Sequence, residues 1–245
     1  MTWQRIIGGG GAFIFAVLAG GMLSGCPNGM PIMTYTITVE NLTSGQPFAP
    51  IVGVAHSNSI HLFRIGELAS DAIETMAEQG NPMPLVDTLE GNPLVTSYHN
   101  VGMPTVAMGT NNGGFSDTNN FTLTASPFDV FSMAGMLAIT NDGIVGIDST
   151  AFPLSGTKVI YALGYDVGTE DNTEASEDLG DPASVLGPVA LEGDPNGNEN
   201  DAVNTDPPQP IMLHPGILGG GDLTPEIHGW PEPVARVTIT AGTVQ

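Results

Sequence analysis

Three stretches of this chain alternate residue by residue, and that alternation narrows the possible folds more than any other feature. They are Thr34-Tyr35-Thr36-Ile37-Thr38-Val39-Glu40, Phe121-Thr122-Leu123-Thr124-Ala125 and Val234-Ala235-Arg236-Val237-Thr238-Ile239-Thr240. A period of two places successive side chains on opposite faces, and β-branched or aromatic residues at these positions read as half-buried strands. Asp129–Ile139 reads as another alternating strand, and Pro50–Ala55, Val159–Asp166 and Ile211–His214 add strand-like runs. With 33 Gly and 20 Pro in 245 residues, turns are frequent and helix should be scarce. One helix is expected within Gly66–Glu78, where Leu68, Ala72, Ile73, Met76 and Ala77 recur at helical spacing and Gly80 stands just past the end. From Asn81 to Asn120 the chain reads as loop, with edge-strand material at 101–108 where proline is tolerated. Strands spaced by turns around one short inserted helix predict an all-β antiparallel sandwich.

Charge excludes one class of function. The chain carries 26 acidic residues against four basic ones (Arg5, Arg64, Lys158 and Arg236), a formal net charge of −22. Nucleic-acid binding needs clustered Lys and Arg to neutralise phosphates, so no nucleic-acid partner is expected. Self-repulsion at this charge opposes compaction, and either a saline setting or bound divalent cations would relieve it.

The first 25 residues read as an address rather than as structure. Arg5 precedes an apolar stretch from Ile6 to Met22, and Leu23-Ser24-Gly25-Cys26 follows. Small residues ahead of a cysteine resemble the bacterial lipobox, and Cys26 is the only cysteine of the chain. The resemblance implies cleavage before Cys26, a diacylglycerol on its thiol, and a protein held to a cell-envelope membrane facing the periplasm or exterior. A single cysteine also rules out an intrachain disulfide. Residues 1–25 are therefore read as a lipoprotein signal peptide, 26–33 as a tether and 34–242 as one domain, with an acidic loop excursion over about 172–210.

Two segments between Met136 and Asp171 carry the candidate chemistry. The first, Met136-Leu137-Ala138-Ile139-Thr140-Asn141-Asp142-Gly143-Ile144-Val145-Gly146-Ile147-Asp148, contains an Asn-Asp-Gly turn. The second runs from Val159 to Asp171 and ends Tyr165-Asp166-Val167-Gly168-Thr169-Glu170-Asp171. If these segments pair, Asp142, Asp166 and Glu170 converge at one end of a sheet with no Lys or Arg beside them, and a hard cation such as calcium is the natural counter-charge. Asp142 also reads simply as a turn residue, and Asp148 as a further ligand or a turn cap.

Other motifs carry less. Asp194–Asp201 has the look of an EF-hand loop, but it lacks glycine at the sixth position and Glu at the twelfth, where Thr205 stands, and no helices flank it. Gly219-Gly220-Gly221 lacks the lysine and helix of a phosphate loop. His56 and His61 have no third metal partner and are not a pair at one-turn helical spacing.

Thr140–Asp148 followed by Tyr165–Glu170 resembles the paired signature of the spondin N-terminal domain, known from F-spondin, mindin and bacterial envelope proteins. Val39–Phe48, His61-Leu62-Phe63, Ala77–Pro82, Phe131–Met136 and Trp230–Ile239 agree with the bacterial branch in the same order. The resemblance implies a C2-like β-sandwich holding one divalent cation, calcium by its oxygen donors, on Asp142, Asp166 and Glu170. Glu170 stands where the animal proteins have Asp, so its reach is one methylene longer and Asp171 competes for the role. The animal cysteines and thrombospondin-type repeats are absent, so those proteins' partners do not carry over.

The expected function is that of a lipid-anchored, calcium-binding envelope or extracellular adhesion module whose ligand the sequence does not disclose. A metal-dependent hydrolase using the same carboxylates and a purely structural envelope or matrix component are the alternatives. An enzyme is not expected, because no nucleophile motif and no two-histidine metal helix is present.

Overall fold

The structure is a computed structural model that describes residues 31–180, 185–189, 191 and 201–244. The signal peptide, Cys26 and most of the EF-hand-like stretch lie outside the described residues. In chain order the elements are β1 (Met33–Asn41), β2 (Val52–Ser57), α1 (Asp71–Gln79), α2 (Met83–Leu89), β3 (Val95–Asn100), β4 (Thr118–Ala125), β5 (Asp129–Met136), β6 (Gly143–Ala151), β7 (Thr157–Asp166), β8 (Met212–Leu213), α3 (Pro225–His228) and β9 (Ala235–Val244).

Every strand pairing is antiparallel, in the order β3-β2-β5-β6-β7-β9-β1-β4, with β8 added beside the end of β7. The ribbon folds into two layers because β7 serves both. Its first half, Thr157–Ala162, pairs with β9, and its last residues, Leu163–Asp166, pair with β6. The edges β3 and β4 are brought together by Ser97, whose Oγ donates to Thr124 O at 2.7 Å and accepts from Thr124 N at 3.0 Å. Stacking of His99 on Phe121, ring centroids 5.2 Å apart, seals the same seam. The sandwich thereby covers the two strand edges that would otherwise stand open.

The alternating strands supply the core between the layers. Tyr35, Ile37 and Val39 from β1, Phe121 and Leu123 from β4, and Val237 and Ile239 from β9 meet Phe131, Met133, Val145 and Ile147 from β5 and β6. Strand β5 is buried along its whole length, because α1 and α2 cover the outer face of its layer. Ile73, Met76, Leu85, Val86 and Leu89 pack there on Val52, Val54, Ala134 and Ile144. A strand buried on both faces has no in-and-out period, so the expectation that Asp129–Ile139 alternates is corrected: it is a strand over Asp129–Met136, covered on both sides.

Helix α1 starts later than its apolar spacing suggests. Ser70 is its N-cap, with Oγ accepting from Ile73 N at 3.4 Å, and Gly80 closes it in the left-handed conformation at φ +61. Helix α2 lies in a stretch read as loop, so the expectation of one helix is corrected. Pro82 and Pro84 look like breakers, yet both sit at the start of the helix, where no intrahelical N–H bond is lost. A third, one-turn helix, Pro225–His228, begins with proline in the same way. Edge-strand character at 101–108 reduces to a bridge between Phe48 and Thr105, while β3, half-exposed and polar, forms just before it.

Strand direction gives the sandwich two distinct ends. At one, Met33 pairs with Ala125, Val130 with Ala151 and Thr157 with Thr240. At the other, Glu40 pairs with Thr118, Met136 with Ile144 and Gly143 with Asp166.

Candidate carboxylate site at the β5–β6 and β7 loop end

The pairing of Gly143 with Asp166 brings the two acidic segments to one end of the sandwich. Between β5 and β6 the chain turns over Leu137–Asp142, and Thr140 shapes the turn. Its Oγ1 donates to Leu137 O at 2.7 Å and accepts from Gly143 N at 2.9 Å. A Cβ on Gly143 would stand 2.5 Å from that oxygen, so the glycine of Asn-Asp-Gly is fixed by close approach.

Asp142 points inward and is fully buried. Its Oδ2 accepts from Thr169 N at 2.8 Å and Glu170 N at 3.1 Å, while its Oδ1 has no protein partner. Asp166 Oδ1 accepts from Gly168 N at 2.8 Å, and its Oδ2 from Asn172 Nδ2 at 2.7 Å. Gly168 takes φ +75, and a Cβ there would come within 2.3 Å of Gln209 O, so only glycine allows this curve. Glu170 is 4% exposed, and its Oε2 is buried without a partner.

Buried carboxylates without counter-charge hold their protons. Burial pushes the Asp142 carboxyl up to about 7, aided by the Asp166 charge and resisted by the N–H groups of Glu170 and Thr169. Burial likewise pushes Glu170 up to about 9, with the charges of Glu78, Asp142, Asp178 and Glu74 adding to it. Among the described residues, no three His, Cys, Asp or Glu side chains are arranged to hold a metal ion. The donor set nevertheless fits a hard cation: two buried, unpartnered oxygens on neighbouring loops, and only oxygen donors around them.

The remaining candidates fall elsewhere. Asp171 is exposed, and its Oδ1 accepts from Thr205 Oγ1 at 2.8 Å. It lines an open cavity of about 180 Å3 together with Asp166, Glu170 and Asn172, at the rim rather than the floor. Asp148 lies six residues along β6, about 20 Å from Asp142 at strand rise. There it holds His61 Nδ1 at 2.9 Å and accepts from Ser149 Oγ at 2.7 Å. Buried His56 contacts Ser132 Oγ through Nε2 at 2.8 Å. Cys26 lies outside the described residues.

Two acids went unremarked in the sequence. Glu78 is 9% exposed on α1, and its charge is the largest contribution after burial to the rise at Glu170. Its signal is an acid in the last turn of a helix that has no basic residue there, against the helix dipole. Glu174, buried at φ +55, accepts from Gly220 N at 2.6 Å and from Leu218 N. That contact packs the start of the acidic segment onto the 217–223 loop, behind Asn141.

Among the described residues no helix is long and apolar enough to cross a membrane. No curated protein matches the chain. The family model described as Spondin_N matches residues 40–178, more than half of the chain, and this span contains Asp142, Asp166 and Glu170. The chain therefore belongs to the spondin N-terminal domain family, a family of extracellular binding and adhesion modules that is non-enzymatic as a kind.

Proposed function

We propose that this protein is a lipid-anchored module of the cell envelope, in which one calcium ion orders the loop end of the sandwich and so shapes a surface for an extracellular or envelope ligand. The observation that carries the reading is the pair of buried, unpartnered oxygens on Asp142 and Glu170. Leaving two such acceptors unsatisfied is costly for a folded protein, and a cation held with Asp166 would satisfy both. Asp142, from the β5–β6 turn, and Asp166 and Glu170, from the end of β7, would be the ligands. The ion would supply charge neutralisation and loop order.

The anchor reading rests on Leu23-Ser24-Gly25-Cys26 and supplies the membrane partner, since two acyl chains give stable attachment where one gives only marginal binding. The ion is the testable core. Calcium added to chelated protein should raise the melting temperature by an amount that grows with concentration, because a ligand of the native state stabilises by mass action. The Asp166→Ala variant should lose that response. An unchanged melting temperature in millimolar calcium would remove the ion from the account.

A further inference from the structure

The anchor and the acidic site belong to opposite ends of the sandwich. Strand β1 begins at Met33, which pairs with Ala125, so the chain enters the domain at the end remote from Asp142. Three turns project at this entry end. One carries Phe128, 72% exposed between β4 and β5, and another carries Leu154, 78% exposed between β6 and β7. The third carries Leu94, 42% exposed, whose carbonyl accepts from Ser57 N beside the Ser57–Asp129 pair. Phe128 and Leu154 are the two most exposed large apolar side chains among the described residues, and both stand at turn tips of this one end.

The acids distinguish the two ends, although the bases do not, since Arg236 pairs with Glu40 at the far end. Lys158, one of the few basic residues, lies at the entry end and bonds Ala151 O at 2.7 Å and Thr150 Oγ1 at 2.8 Å. The acids of this end are few and engaged: Asp129 caps Ser126 N at 2.7 Å and Asp148 holds His61. Asp87 and Glu90, in and just after the last turn of α2, are the exposed exceptions. Asp142, Asp166, Glu170, Asp171, Glu174, Glu177 and Asp178 all belong to the far loops. Repulsion from an anionic bilayer would therefore turn the far end outward.

We propose that the entry end is a membrane-contact face, seated on the phospholipid leaflet that holds the lipid of Cys26, with Phe128 and Leu154 inserted among the headgroups and the carboxylate loops directed away. This inference rests on the anchor reading for its geometry. From Cys26 to Met33 is seven residues, which span at most about 25 Å fully extended. A domain on so short a tether keeps its entry end within reach of the bilayer, and interfacial burial of aromatic and aliphatic tips then fixes its orientation.

The test uses the full-length protein, processed in a bacterial host and reconstituted into phosphatidylethanolamine–phosphatidylglycerol vesicles with or without brominated acyl chains. Phe128→Trp and Leu154→Trp each add a reporter at the entry end, and Met108→Trp adds one at the far end, where Met108 N bonds Thr43 O. Mass spectrometry of the same samples reads the lipid on Cys26. Emission added at 128 and 154 should shift to the blue and be quenched by brominated lipid, while emission added at 108 should not. Lipidated, vesicle-bound protein with neither entry-end reporter quenched would overturn the membrane-contact face and leave the anchor standing. Quenching at 128 and 154 in protein that lacks the lipid would sustain the face and overturn the anchor. Protein that neither carries lipid nor floats with vesicles, or quenching at 108 alone, would overturn the inference outright.

Discussion

Replacing Asp142 by Asn separates the carboxylate site from its alternatives, because it should strengthen the protein in one solution and leave it unresponsive in another. In chelated protein burial pushes the Asp142 carboxyl from the ordinary carboxylate range up to about 7. Below the unfolded value both states are protonated, and the group contributes nothing to pH dependence. Between the two values the folded state holds a proton that the unfolded chain has lost, so stability falls as pH rises by about 1.4 kcal/mol per unit. Above about 7 the penalty is complete, and three units amount to at most about 4 kcal/mol. Asn keeps the geometry, since its side-chain oxygen can accept from Thr169 N and Glu170 N as Oδ2 does. At pH 8 in chelator, Asp142→Asn should therefore melt higher, by at most about 8–16 °C at roughly 2–4 °C per kcal/mol for a domain of this size. In calcium the order should reverse, because wild type gains the ion and the variant does not. Differential scanning calorimetry across pH 4–8, with chelator and with calcium, reads both effects. A variant that melts below wild type in chelator, or that gains as much from calcium, would refute the reasoning.

The other positions at the loop end allow sharper contrasts. Gly168→Ala should destabilise by about 2 kcal/mol or more, from φ +75 combined with a Cβ 2.3 Å from Gln209 O, and denaturant unfolding would measure it. Asp171→Ala and Asp148→Ala should each retain the full calcium-induced rise in melting temperature. The first loses one exposed bond to Thr205, and the second lies toward the other end of β6.

The strands were legible where one face meets the core and the other meets solvent. Thr34–Glu40 and Val234–Thr240 alternate because β1 and β9 are adjacent in the outer part of the same layer, with Ile37 and Ile239 paired inward. β5 was legible as a strand but misread as alternating, since the helices that cover its second face lie elsewhere in the chain. Helix α2 was hidden by its own prolines, whose meaning reverses between the first turn of a helix and its middle. β3 was hidden because its residues, Val95-Thr96-Ser97-Tyr98-His99-Asn100, act through side-chain bonds across a seam and not through an apolar period.

The candidate site was legible for a different reason. Asp142, Asp166 and Glu170 come from two segments that pair in register, and a turn glycine stands beside each, so sequence spacing alone brings them to one loop end. What spacing could not supply is depth. Glu78 approaches from α1, and Glu174 binds back to the 217–223 loop, so the site is roofed by segments that share no local pattern with it. Depth decides the chemistry. At the surface these acids would be solvated, whereas burial raises Asp142 to about 7 and Glu170 to about 9, so a cation taken up there would displace protons from those two. Calcium uptake should accordingly release protons near neutral pH, and isothermal titration in two buffers of different ionisation enthalpy would count them. If the apparent binding enthalpy is the same in both buffers, no proton leaves, and the carboxylates are already ionised in the free protein.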